Sequence, residues 1–303
     1  MADISLHYVE LSNGETIAYR ERAGGVRPLV LVHGNMTSSL HWDVLMESLP
    51  SKYKIYAVDM RGFGESSYHT PIDSLHDFAV DLNEWTEKVG LSSFVLMGWS
   101  TGGGVAMDFA ADHPQKVNKL ILLASVGTRG YPIFQKDEHG QPIMTQPLHT
   151  KEEIAQDLVQ VLPILRAYEA KDKNTLRQIW EMLIYHDNTP DEARYERYLD
   201  DMLTQRNLVD VDYALAFFNI SHEITVMGEG NGKVSDITMP VLVLSGRKDR
   251  VVPEQMALDI QKDIGENAHI HYLDTGHSAL IDDLPGLIQV ITEFIEYGEV
   301  AKM

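Results

Sequence analysis

Six apolar runs punctuate the chain: Leu29-Val30-Leu31-Val32, Tyr53 to Val58, Phe94 to Met97, Val117 to Ala124, Val241 to Leu244, and His269 to Leu273. Most lack the in–out alternation of a half-exposed strand, so they predict strands covered on both faces. Between them the period lengthens. Leu75, Phe78, Ala79, Leu82, Trp85 and Val89 share one face of a helix over 73–90. Similar spacing predicts helices from Trp42 to Leu49, over 253–264 and over 284–298. Near the N-terminus, residues 6–10 and 15–20 flank Asn13-Gly14, a dipeptide suited to a hairpin turn with positive φ.

The pattern changes between about 127 and 236. Two short extended pieces are expected within 131–145, around Asp137-Glu138-His139-Gly140. Helical stretches follow near 151–170, 173–186, 190–205 and 209–223, with Pro163 expected to kink or divide the first. Strands alternating with helices imply an α/β architecture: a mainly parallel sheet with helices on both faces. The expected organisation is a core of 1–126 and 237–303, interrupted by a mostly helical cap at 127–236. In open sheets of this kind the site lies where strands present their carboxyl ends. Loops leave such ends after Val32, Leu96, Leu244 and Leu273.

Gly98-Trp99-Ser100-Thr101-Gly102 lies where a strand gives way to a helix. A serine on such a turn sits in a strained bend with its hydroxyl above the sheet edge, beside the positive end of the helix dipole. Ser100 is therefore the candidate nucleophile. It needs a base, and His277, on the loop after the last strand, is the candidate. The base needs an acceptor on its second nitrogen. Asp249 is the candidate, with Asp274 and Asp282 as rivals; Asp274 stands awkwardly close in sequence to His277. Acyl transfer also needs oxyanion donors. The backbone N–H groups of Thr101 and Asn35 are expected to supply them, the latter on a loop that Gly34 lets approach closely. The Asn35 side chain either contacts substrate or shapes its loop as an Asx turn, and His33 is expected to brace that loop. Met36, Trp99, Phe217 and Phe218 are expected to line the pocket, with Ala214 to Ile220 as the cap segment facing it. Gly102-Gly103-Gly104 is not a phosphate loop, because no Lys-Ser/Thr follows it.

Composition narrows the picture. The chain has 303 residues, enough for one large α/β domain, and no cysteine, which excludes disulfides and thiolate nucleophiles. A net charge of −20 opposes nucleic-acid binding and is read as a solubilising surface. Met1 to His7 has neither the basic patch nor the apolar core of a signal peptide, and no apolar run is long enough to span a bilayer. The expectation is a cytoplasmic protein without membrane insertion. The histidines are scattered, so no metal and no cofactor is expected. The expected partner is a small, mainly apolar ester or lactone; a homodimer is the assembly considered.

His33-Gly34, Asp59-x-Arg61-Gly62-x-Gly64-x-Ser66, Gly98-Trp99-Ser100-Thr101-Gly102-Gly103, Gly246-Arg247-x-Asp249-x-Val251-x-Pro253 and Gly276-His277 occur in one order along nearly the whole chain. In that order the sequence resembles the α/β-hydrolase superfamily, and within it small capped carboxylesterases, acyl-homoserine-lactone lactonases and cofactor-free haloperoxidases and perhydrolases. The lactonase likeness rests on His-Gly-Asn and Gly-Trp-Ser; the acid there can be Glu, where this chain has Asp249. The resemblance implies a Ser100–His277–Asp249 triad cleaving carboxylic esters or lactones. Carbon–carbon bond hydrolysis and peracid formation are alternatives on the same triad, and a non-catalytic ligand receptor is a third. In the family the Asp59–Ser66 loop is a structural turn.

Overall fold

The structure, a computed structural model, describes residues 3–298. Its first strands are β1 (Ile4–Glu10), β2 (Thr16–Arg22), β3 (Arg27–Val32), β4 (Tyr53–Val58), β5 (Phe94–Trp99) and β6 (Val117–Leu123). The helices among them are α1 (Asp43–Ser48), α2 (Leu75–Lys88) and α3 (Thr101–Asp112). Strands β7 (Phe134–Lys136) and β8 (Pro142–Pro147) follow, then α4 (Lys151–Ala155), α5 (Leu162–Ala170), α6 (Lys173–Leu183), α7 (Glu192–Met202) and α8 (Leu208–Phe217). After the short strands β9 (Ile224–Thr225) and β10 (Gly228–Glu229), the chain rejoins the main pattern as β11 (Val241–Gly246), α9 (Glu254–Ile264), β12 (Ala268–Leu273), α10 (Ala279–Asp282) and α11 (Leu284–Tyr297).

Eight strands form one sheet in the order β1-β2-β4-β3-β5-β6-β11-β12. The pairs β1–β2 and β2–β4 are antiparallel and the rest parallel, which makes the sheet mainly parallel. The first hairpin turns at Gly14, whose φ of +85° explains the Asn-Gly there. The apolar runs are covered on both faces. Val30, Val32, Leu96 and Leu122 pack in one cluster with α2, α3 and α9 residues. Their neighbours Leu29, Leu31, Met97 and Ile121 pack in another with residues of α1 and α11. That two-sided burial is why these runs read as unbroken hydrophobic stretches.

Order reverses at β3: the chain passes from β3 outward to β4, then crosses to the other side of β3 as β5. A crevice opens where the carboxyl ends of β3 and β5 diverge. The register Val32↔Gly98 puts the loop starting at His33 beside Ser100. Between β6 and β11 the chain leaves the sheet, and its five helices and two small ribbons lie in this insertion.

Two expected helices differ in the structure. The stretch 151–170 is two helices, but Pro163 does not make the break. It lies in the first turn of α5, where its missing N–H costs nothing. The interruption is at Asp157, whose carboxylate takes the N–H groups of Val159 and Gln160. The stretch expected to run over 209–223 ends at Phe217. Phe218 is extended, and the N–H of Ile220 goes to Thr128 O instead of continuing the ladder. The ribbon β9–β10 was not anticipated, its strands being too short to carry a period.

Candidate active site

Ser100 stands between β5 and α3 with φ +56° and ψ −119°, a conformation that L residues rarely adopt. The strain is held from outside. Ser100 N–H donates to Leu123 O, and its carbonyl accepts from Gly103 and Val126. The flanking glycines are sterically required. A Cβ at position 98 would lie 2.2 Å from Gly102 O, and one at position 102 would lie 2.3 Å from Val32 O. Gly34 serves the facing loop, since its Cβ would lie 3.1 Å from Ser100 Cβ. The N–H groups of Asn35 and Thr101 have no acceptor among the described residues.

On the next side of the sheet, the pairing Gly246↔Leu273 brings together the loops after β11 and β12. The contact continues past the strands: Arg247 N–H donates to Leu273 O and Lys248 N–H to Thr275 O. Asp249 and His277 meet there. His277 Nδ1 donates to Asp249 Oδ2 at 2.8 Å, which leaves Nε2 as the ring's acceptor. The other carboxylate oxygen of Asp249 accepts from the N–H groups of Val251 (2.8 Å) and Val252 (3.0 Å). The rival acids are engaged elsewhere. Asp282 takes the N–H of Gly276 at 2.7 Å and those of Asp187 and Asn188, while Asp274 is exposed and paired with Lys248.

His33 accepts from Met60 N–H on Nε2 and bonds Gly34 O through Nδ1. Both nitrogens are thereby committed, and burial pushes its pKa down to about 4. The neutral ring ties the loop after β3 to the loop after β4. In that second loop Asp59 accepts from the N–H groups of Ser39 and Glu65, and Ser66 Oγ donates to Asp59 O, so these residues shape a turn.

The Asn35 carboxamide lies within a network of side chains. Its Oδ1 accepts from Met36 N–H (3.0 Å) and from Gln205 Nε2 (2.7 Å), and its Nδ2 donates to Asp212 Oδ1 (3.1 Å). Gln205 also accepts from Met36 N–H and from Tyr168 OH, and donates to Asn207. The inserted segment thus grips the loop at Met36, whose φ is +59°.

A cavity of about 570 Å³ opens over these groups, lined by Asn35, Met36, Trp99, Ser100, Thr101 and His277 from the sheet's rim. Its apolar wall comes largely from Ile133, Ile164, Ile179, Trp180, Leu183, Leu208 and Leu215 in the insertion. Trp99 is nearly fully buried, and its Nε1–H donates to His277 O, so the indole also steadies the His277 loop. Phe217 and Phe218 do not line the cavity. Leu208, Asp212 and Leu215 mark the cavity-facing stripe of α8, and positions 217 and 218 fall off that stripe. Phe217 packs on Tyr213, and Phe218 approaches Gly104 on α3. Of the expected segment 214–220, only Leu215 reaches the cavity wall.

The sequence reading missed Asp212 and Gln205; Tyr131 stands on the cavity wall, where its hydroxyl donates to Val251 O. For Asp212 a signal existed: an acid in the apolar stripe Leu208–Leu215 of a helix. A larger groove of about 1040 Å³ follows β12 and α11 but is lined by none of Ser100, Asp249 and His277. The fold also gathers His76, Asp108 and Asp112, with donor atoms within 4.8 Å of one another. Lys233 already pairs with both aspartates there, at 3.2 and 2.8 Å. Among the described residues no helix is long and apolar enough to cross a membrane.

The family model for the alpha/beta hydrolase fold matches residues 27–284. The chain belongs to the α/β hydrolase fold family. It is 24% identical over 269 residues to a pimeloyl-[acyl-carrier protein] methyl ester esterase of Vibrio parahaemolyticus, covering 88% of this chain and 94% of that one. It is 25% identical over 297 residues to a 2-hydroxy-6-oxononadienedioate/2-hydroxy-6-oxononatrienedioate hydrolase of Paraburkholderia phymatum, covering 95% and 94%. Among solved structures, an esterase from Exiguobacterium antarcticum superposes with a TM-score of 0.72 at 20% identity, covering 95% and 98%. The chain is therefore a hydrolase of this family with esterases among its relatives.

Proposed function

We propose that the protein hydrolyses carboxylic esters or lactones through an acyl-enzyme on Ser100. The reading rests chiefly on one observation: a serine in a strained strand–helix turn shares a cavity with a histidine whose far nitrogen is bound to a buried aspartate. Ser100 Oγ attacks the carbonyl carbon while His277 Nε2 takes its proton. Asp249 holds Nδ1–H and stabilises the imidazolium. The N–H groups of Asn35 and Thr101 receive the oxyanion. His277 then protonates the leaving alcohol, and water activated by the same nitrogen releases the acid and regenerates Ser100.

A fluorophosphonate tests this directly. It is expected to label the wild-type protein once, at Ser100, and Ser100→Ala is expected to lose both the label and p-nitrophenyl butyrate hydrolysis while keeping its circular dichroism. Unchanged ester cleavage by that variant overturns the assignment. The likeness to the 2-hydroxy-6-oxononadienedioate hydrolase favours a second reading on the same side chains, cleavage of a carbon–carbon bond beside a ketone. Parallel assays on an ester, a lactone and a β-diketone rank the activities.

A further inference from the structure

Asp212 takes no part in the reaction just described, yet it projects from α8 into the wall of the same cavity. Its orientation can be followed bond by bond. Met36 N–H fixes Asn35 Oδ1, so Asn35 Nδ2 points away from it and donates to Asp212 Oδ1. Asp212 Oδ1 is therefore an acceptor, and a proton on this carboxyl resides on Oδ2. That oxygen has no hydrogen-bond partner among the described residues, and Leu208 and Leu215, one helical turn to either side on the same face of α8, offer none. Asp212 is half-buried and open to the cavity, so a ligand that displaces water from Oδ2 must supply the partner in its place.

We infer that Asp212 is a specificity-determining residue: its Oδ2–H donates to a second acceptor oxygen, ether or carbonyl, carried by a neutral ester or lactone whose scissile carbonyl lies at Ser100. The inference rests on the proposed hydrolase reading and names the substrate class of that site.

The electrostatics agree. Desolvation, then the nearby Asp157 charge, raise the Asp212 pKa to about 8, while the Asn35 hydrogen bond opposes them. The other titratable groups around the cavity are Tyr131, Arg250 and His277, with Tyr168 packed behind on α5. Arg250 is exposed and donates to Met182 O, and it forms no ion pair with Asp212. Near neutral pH the side chain is thus an acid that donates, as carboxyls in apolar sites do.

The test scans p-nitrophenyl esters in which one chain methylene at a time is replaced by an ether oxygen, each against its hydrocarbon isostere. The wild-type protein is expected to favour the ether at one position by about tenfold in kcat/KM. In Asp212→Leu that ratio is expected to fall to about one, and Asp212→Asn, which keeps a donor, is expected to retain most of it. The wild-type ratio is also expected to decline as pH rises through about 8, and that of Asp212→Asn is not. No favoured position, or an undiminished ratio in Asp212→Leu, overturns the inference. Calorimetry of Ser100→Ala with the corresponding N-methyl amides reads the same preference without turnover. A wild-type protein that hydrolyses no ester but whose Ser100→Ala variant still prefers the ether amide would sink the hydrolase reading and leave the recognition role standing.

Discussion

Two carboxyls stand at the cavity in different ways, one bound behind His277 and the other in the cavity wall, and the contrast between them describes its design. Asp249, on the sheet's rim, receives three hydrogen bonds, from His277 and from two backbone N–H groups. Asp212, on the insertion, receives one, from Asn35. At the rim, strand ends bring backbone donors with them, because loops leaving parallel strands have unpaired N–H groups near their origin. A helix satisfies its own N–H groups internally, so a carboxyl on α8 meets only side chains. The rim can therefore hold an anion in a fixed place, whereas the insertion presents an acid whose state depends on desolvation. Rigid backbone geometry is suited to chemistry, and side-chain walls are suited to selection.

The largest test of this contrast is Asp249→Asn. It removes the acceptor that sets the His277 tautomer, and kcat on a p-nitrophenyl ester is expected to fall by about 10⁴ with the fold intact. A loss of less than tenfold would place the acid elsewhere and dissolve the distinction.

Next comes the pH response of the rim. Burial takes His33 from 6.5 down to about 4, so the unfolded chain binds the extra proton across that window. Stability is then full above pH 6.5 and falls as pH drops toward 4, by about 3 kcal/mol from this group. Urea unfolding of the wild-type protein and of His33→Gln at pH 7 and 4.5 measures it; the acid-induced loss is expected to be smaller in the variant.

Gln205→Ala probes the seam between the two regions. Gln205 uses both amide hydrogens and both lone pairs, on Asn35, Asn207, Met36 and Tyr168. Its removal is expected to cost about 2–3 kcal/mol by leaving buried partners unmatched. Loosening the loop that carries the Asn35 N–H is expected to lower kcat more than it raises KM. A variant with wild-type kcat would separate the insertion from the rim's geometry.

A further test is Asp212→Asn on stability. Because folding raises this carboxyl's pKa from 3.8 to about 8, the folded state holds a proton that the unfolded chain releases. Stability from this group falls as pH rises across that range. The amide, which cannot ionise, is expected to raise the melting temperature, more at pH 8 than at pH 5. An equal gain at both pH values would mean that Asp212 is ionised in the fold.

Much of the rim was legible in the chain. Gly98, Gly102 and Gly34 mark close backbone approaches that no side chain fits, and Val30 with Leu31 records burial on two faces of one sheet. These are local signals: a backbone constraint or a strand's period is written into adjacent residues. Ser100, Asp249 and His277 could be nominated because each follows a strand, and strand order puts such loops on one edge. The insertion was less legible. Phe217 and Phe218 were expected on the cavity and lie off it, because a change of about 100° per residue decides which face of α8 a side chain occupies. Periodicity identifies a helix without saying which neighbour its stripe meets.

The sequence by itself determined the elements of the sheet, the turn at Ser100 and the set of acids able to serve His277. Tertiary structure alone decided which acid meets His277 in space, that Asn35 answers to Met36, Gln205 and Asp212, and that desolvation raises the pKa of an aspartate in the cavity wall. The reason is one of range. Steric and periodic constraints act between residues a few positions apart, whereas desolvation and hydrogen-bond pairing depend on groups such as Asn35 and Asp212, 177 positions apart, that only the packed chain brings together.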